Sequence, residues 1–116
     1  MMKKTLFAVT KPWLGIVEEK DREFAVLALE KFFHNLESEP VKPYAVCFYT
    51  EGVKACCEGS PFLEALEALD KKGVKILVAQ ISLDYYHLRS KVVVGNVVDM
   101  NDIVGMMMIV DQVITV

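Results

Sequence analysis

The stretch Val74-Lys75-Ile76-Leu77-Val78-Ala79-Gln80-Ile81-Ser82-Leu83-Asp84-Tyr85-Tyr86 decides the fold. Its first half, Val74 to Ala79, is a short apolar run with β-branched residues, preceded by Gly73, which is how a buried strand reads. Gln80 is the first polar side chain after the run. Ser82 then offers an N-cap oxygen to a short helix, with Asp84 in its first turn. A strand running straight into a helix is the repeating unit of an open parallel sheet. Such sheets hold ligands outside the carboxyl ends of their strands, beside helix N-termini. This junction is therefore where chemistry is expected first, although it carries no obvious nucleophile.

The same alternation extends upstream. Ser60-Pro61 reads as a helix start, with serine as N-cap and proline at the first helical position. Phe62, Leu63, Leu66 and Leu69 form its inward stripe, and Lys71, Lys72 and Gly73 close it. Tyr44 to Tyr49 is a strand, apolar throughout, entered from a turn bracketed by Pro40 and Pro43. Cys47 in its middle reads as a small buried hydrophobe. From Glu18 to Glu37 the period is helical, with Ala25, Leu29, Phe32, Phe33 and Leu36 on one face. Glu18, Glu19 and Asp21 suit its N-terminal dipole, and Glu30 and Lys31 form a solvated face. His34 reads as a surface or dipole-capping residue rather than a ligand. Lys4 to Val9 is the first strand, followed by a loop from Thr10 to Gly15.

Downstream, Leu83 and Tyr86 share one face of a short helix ending near Arg89 or Ser90. Val92-Val93-Val94 reads as a short strand, with Val97 and Val98 leading on. Asn101 is placed to cap a last helix whose Ile103, Met106, Met107 and Val110 face inward, and Val113 to Val116 closes the chain as a strand. Strand and helix thus alternate in a single domain, which predicts a parallel sheet covered on both faces. Met106-Met107-Met108 makes the last helix apolar beyond one stripe. Either the helix is fully buried or it forms a subunit interface, since methionine adapts readily and exposed apolar patches mark contacts.

Composition narrows the function. The 116 residues are 53% hydrophobic and 25% charged, with a net charge of −3. A core can form, and there is no electrostatic footprint for nucleic acid or an anionic membrane. No apolar run is long enough to span a bilayer. Met1-Met2-Lys3-Lys4 followed by Thr5 to Val9 lacks the length and cleavage site of a signal peptide. The three cysteines fit no zinc spacing and no disulfide framework, so no metal or cofactor is expected and a reducing cytoplasm is the natural location.

Several short motifs occur in a familiar order: Gly52-Val53-Lys54, Glu58-Gly59-Ser60, Lys72-Gly73-Val74, Ser82-Leu83-Asp84-Tyr85-Tyr86, Val94-Gly95-Asn96-Val97-Val98-Asp99-Met100 and Asp102-Ile103-Val104. Together they resemble the DsrE/DsrF-like domain at the C-terminus of YedF-type proteins of sulfur and selenium metabolism. The likeness is good over roughly residues 44 to 116 and looser before that. It implies a three-layer α/β/α fold with a five-stranded, mainly parallel sheet, and assembly as a homo-oligomer: dimer, trimer or hexamer. It also implies sulfur transfer through a persulfide on a cysteine in a strand-to-helix loop, with a sulfur-carrier protein as a partner. YedF-type proteins place Cys-Gly-Thr-Cys directly before Leu-Asp-Tyr-Tyr. Here Ala79, Gln80, Ile81 and Ser82 stand in those positions, and a serine hydroxyl without an adjacent base cannot replace a thiolate. The glycine-rich loop after the first strand is also missing, with Lys11-Pro12-Trp13-Leu14-Gly15 in its place.

Two functional readings follow. In a sulfurtransferase, Cys56 or Cys57 would have to do the covalent work, from a loop just before a helix N-terminus and near Lys54. Vicinal cysteines can also form a strained disulfide. In a non-catalytic binding or assembly module, the amides of Ser82 to Asp84 and the side chains of Gln80, Ser82 and Tyr85 would hold a small polar group. Thr50, which opens the loop after the second strand, belongs to the same region. Asp84 is equally a first-turn acid favoured by the helix dipole, and Tyr85 and Tyr86 equally packing residues. Trp13 is either a cover over the core or a contact on a ligand or subunit. A flavodoxin-like nucleotide binder fits worse, for want of a glycine-rich phosphate loop.

Overall fold

Four of the five strands are set by their apolar runs. In the computed structural model, which describes residues 3–116, these are β1 (Thr5–Val9), β2 (Ala45–Phe48), β3 (Lys75–Ala79) and β5 (Gln112–Thr115). The remaining strand, β4, is only Asn96–Val98. All pairings are parallel, in the order β4-β3-β2-β1-β5. The helices are α1 (Arg22–Ser38), α2 (Leu63–Lys71), α3 (Gln80–Tyr85) and α4 (Met100–Ile109). The expected α/β architecture with a five-stranded sheet is what the chain forms.

The β1–α1–β2 and β2–α2–β3 crossovers step in one direction across the sheet, so right-handed connections put α1 and α2 on one face. The β4–α4–β5 connection steps back the other way, so α4 falls on the opposite face. Core packing agrees with the first assignment. Phe33 of α1 meets Phe48 of β2 at 6.0 Å and Phe62, just ahead of α2, at 5.6 Å, and Phe32 meets Phe7 of β1 at 5.3 Å. The alternate strand positions Leu6, Ala8, Ala45 and Cys47 are also fully buried, as expected where both faces are covered.

Local chemistry corrects several expected boundaries. Val92, Val93 and Val94 do not form a strand. Val92 instead makes an isolated antiparallel bridge to Cys57. Gly95 then turns the chain at a φ of +100°, where a Cβ would sit 2.8 Å from Val78 Cγ2 and 2.9 Å from Ile76 Cγ2. Only after that turn can residues 96–98 lie against β3. Asn101 does not cap α4. Asp99 does, its carboxylate accepting from the Asp102 amide at 2.9 Å. Ser60 stands two residues before the α2 cap position, where its Oγ accepts from the Phe62 amide at 3.1 Å and donates to the Ala55 carbonyl at 2.6 Å. Ser82 is likewise no cap: α3 begins at Gln80, directly off β3.

Candidate functional site

A helix that starts without a linker places residues spaced by four on common faces at the strand ends. Ile81 and Tyr85 make one such pair, Ser82 and Tyr86 another. Together with Thr50 these four side chains line a cavity of about 330 Å3 at the carboxyl ends of β2 and β3. Its walls are mostly apolar. Tyr85 is 76% exposed and Ile81 65% exposed, so the cavity opens to solvent. The two tyrosine rings meet edge-on, with centroids 5.0 Å apart, and the Lys54 ammonium lies 4.8 Å from the Tyr86 centroid.

Thr50 is the hinge of this mouth. Its φ is +50°, a left-handed conformation costly for a β-branched residue. Its two donors, the amide and a hydroxyl proton shared between two carbonyls, hold it there. Its amide donates to Ser82 Oγ at 2.8 Å, and its hydroxyl lies 2.8 Å from the Thr10 carbonyl and 2.7 Å from the Tyr49 carbonyl. The ends of β1, β2 and β3 are thus tied together at one residue. Ser82 is almost fully buried. A serine oxygen that accepts one bond still has a proton to give, so Ser82 can offer a donor to a ligand in the cavity.

The sequence-derived site residues separate in space. Thr50, Ser82 and Tyr85 share this cavity. Gln80 and Asp84 line a neighbouring one of about 340 Å3 with Asp99 and Met100, and Ile81 borders both. Asp84 is engaged by Arg89 through two hydrogen bonds of 3.0 and 2.9 Å, which hold its carboxyl below the usual range. Because α3 begins at Gln80, the amides of Leu83 and Asp84 are spent on the helix and not available to a ligand. Trp13 lines neither cavity. Its ring stacks under the Arg22 guanidinium, 3.9 Å from the centroid, and so covers the start of α1.

Cys56 and Cys57 also lie apart from the mouth. The stretch Thr50–Cys56 is a 3-10 segment rather than an open loop, and both thiols are buried. Gly52 holds the segment against β1: a Cβ there would sit 2.0 Å from the Val9 carbonyl oxygen. Burial pushes the Cys56 thiol well above its ordinary range, helped by the neighbouring Cys57, and burial and then Glu58 raise Cys57. Cys57 Sγ donates to the Val53 carbonyl at 3.3 Å. Lys54 lies 3.3 Å from a Glu51 carboxylate oxygen, which compensates its charge. Cys47, fully buried in β2, is pushed up to about 11 by desolvation. None of these environments favours a thiolate at neutral pH. Among the described residues no group of three or more side chains could hold a metal ion, and no helix is long and apolar enough to cross a membrane.

Sequence reasoning missed Ile81 and Tyr86 as cavity walls. The signal was present in the four-residue spacings 81/85 and 82/86, which become visible once the helix is started at Gln80.

No family model matches the chain, and no curated protein sequence matches it. Solved structures do. The crystal structure of the ychN protein from E. coli is similar with a TM-score of 0.66 at 14% identity, over 99% of this chain and 100% of that one. The protein of unknown function MTH1491 from Methanobacterium thermoautotrophicum is similar with a TM-score of 0.71 at 18% identity, again over 99% of this chain and 100% of that one. At such identities the likeness establishes the fold: a five-stranded parallel sheet between helices.

Proposed function

We propose that this chain is a degenerate relative of the DsrE/DsrF-like sulfur-relay proteins that keeps the binding mouth without its covalent chemistry. It acts as a non-catalytic, small-ligand-binding module. One observation carries the reading: the cavity at the ends of β2 and β3 is lined by hydroxyls and apolar surface, while all three cysteines are buried with raised thiols. The ligand that suits it is a compact molecule with a flat apolar body against Ile81 and Tyr85 and one polar group at Ser82. No cationic side chain lines the cavity, so a neutral polar group suits it better than a strongly anionic one.

The reading is tested by titrating benzamide, a ring with a single polar head, into isotope-labelled protein and following amide shifts. The expected shifts are at Thr50, Ile81, Ser82 and Tyr85. Tyr85→Ala, a change at an exposed side chain, weakens binding about five-fold without altering stability. Shifts scattered over the surface, or binding indifferent to Tyr85→Ala, would defeat the proposal.

A separate observation favours self-association. On α4, Val104, Met108 and Ile109 are exposed apolar side chains, as are Val113 and Ile114 on the edge strand β5. An open strand edge beside an apolar helix face is what pairing between copies requires. Light scattering would register an oligomer, and Met108→Glu would convert it to monomer. A monomer at high concentration in the unsubstituted protein would exclude this part of the proposal.

A further inference from the structure

At the opposite end of the strands a second kind of surface gathers. Lys3 and Lys4 precede β1, Tyr44 precedes β2, and Lys42 stands in the turn before it. These side chains line a cavity of about 360 Å3. Pro40 and Pro43 form part of its wall and restrict the backbone there, so little ordering entropy is lost when a ligand enters. The Tyr44 ring attracts two ammonium groups, Lys4 Nζ at 4.9 Å from its centroid and Lys75 Nζ at 5.5 Å. It thereby holds together charges that would otherwise separate.

Among the described residues, none of Lys3, Lys4, Lys42 and Lys75 is ion-paired with a carboxylate. The acidic groups Asp111 and Glu37 border this region, but each has another partner; the Glu37 carboxyl is lowered first by its hydrogen bond to Lys72, with the Lys42 ammonium near enough to help. Asp111 accepts from the Lys4 main-chain amide at 2.7 Å, and Glu37 pairs with Lys72. The Lys42 ammonium donates to the Glu39 carbonyl, which uses one of its three donors. The result is a local excess of positive charge on a chain whose net charge is −3. Ammonium groups on flexible stems act as point charges that converge on phosphate oxygens.

We propose that this cavity binds a small phosphate-bearing molecule, its phosphate among Lys3, Lys4 and Lys42 and its remainder against Pro40 and Val41. Lys75 strengthens the field from beyond Tyr44. The site shares no residue with the mouth at the ends of β2 and β3, so it stands or falls independently of the function proposed there.

Inorganic pyrophosphate is the probe. Titrated into isotope-labelled protein, it shifts the amides of Lys3, Lys4, Lys42, Tyr44 and Gly73 and leaves Thr50, Ser82 and Tyr85 in place. The Lys4→Ala/Lys42→Ala double variant binds at least about tenfold more weakly, while Lys31→Ala binds as the unsubstituted protein does. Added salt weakens the interaction. Glycerol phosphate shifts the same amides at higher concentration. Shifts spread equally to Lys11 and Lys31, or affinity unchanged in the double variant, would overturn the proposal. Binding to phosphatidylglycerol vesicles with none to pyrophosphate would overturn it too, and assign the patch to a lipid surface instead.

Discussion

The two faces of the sheet are built to different standards. Under α1 and α2 the aromatic side chains Phe7, Phe32, Phe33 and Phe62 interlock edge to face, with Phe48 tilted against Phe33. Under α4 the helix fully buries Ile103 alone, leaving Met106 and Met107 half-covered and Met108 79% exposed. The first face is finished within one chain. The second is as apolar as a core yet stays partly open, which is what motivates the self-association proposed above. The sequence is apolar in both places, and only the degree of covering in the fold separates them.

Substitutions on the closed side should break the molecule. Gly52→Ala forces a Cβ into the Val9 carbonyl, and we expect a loss of about 3 kcal/mol or more, read from urea unfolding. Phe33→Ala, which empties the middle of the aromatic cluster, should cost about 3–5 kcal/mol in the same assay. The open side should respond differently. Met108→Ala should leave the unfolding of a dilute sample within about 0.5 kcal/mol of the parent, because the side chain is mostly exposed. If it destabilised the monomer as strongly as Phe33→Ala, the contrast between the faces would be lost.

Buried thiols sharpen the comparison through pH. Cys47 has its thiol pushed up to about 11 in the folded protein, whereas an unfolded cysteine titrates near about 8.5. The unfolded chain therefore gives up this proton first. The contribution of Cys47 is constant below about pH 8.5 and erodes as pH climbs toward 11, by on the order of 3 kcal/mol. Urea midpoints between about pH 8 and pH 11 should fall less steeply in Cys47→Ala than in the parent. Equal slopes would mean that the thiol is not held neutral by burial. The smallest effect belongs to the rim. Arg89→Ala should let the Asp84 carboxyl return upward to its ordinary range, visible by carbon-detected titration and scarcely at all in stability.

The fold was legible because four strands are apolar on both faces, and alternating such runs with helical stripes leaves few topologies. β4 was not legible in its place. Val92 to Val94 look like a strand, yet the backbone is committed elsewhere: the Val93 and Val94 amides both donate to the Cys56 carbonyl. Capping misled in a similar way. Ser82 has the right side chain for an N-cap, but its oxygen accepts from Thr50, 32 residues away in sequence. No local pattern carries that partner. The same holds for Cys56 and Cys57, which the chain reads as loop thiols until Gly52 brings the 3-10 segment onto β1. Topology pointed to the strand ends where Thr50, Ser82 and Tyr85 line one cavity, whereas Trp13 stacks with Arg22 away from it.

The central claim is that the mouth of the sheet binds without a reactive thiol, and intact-mass measurement after incubation with a persulfide donor tests it most directly. We predict that the native protein gains no reductant-sensitive sulfur. A gain of one sulfur on the folded chain, abolished by Cys56→Ala or Cys57→Ala, would contradict it.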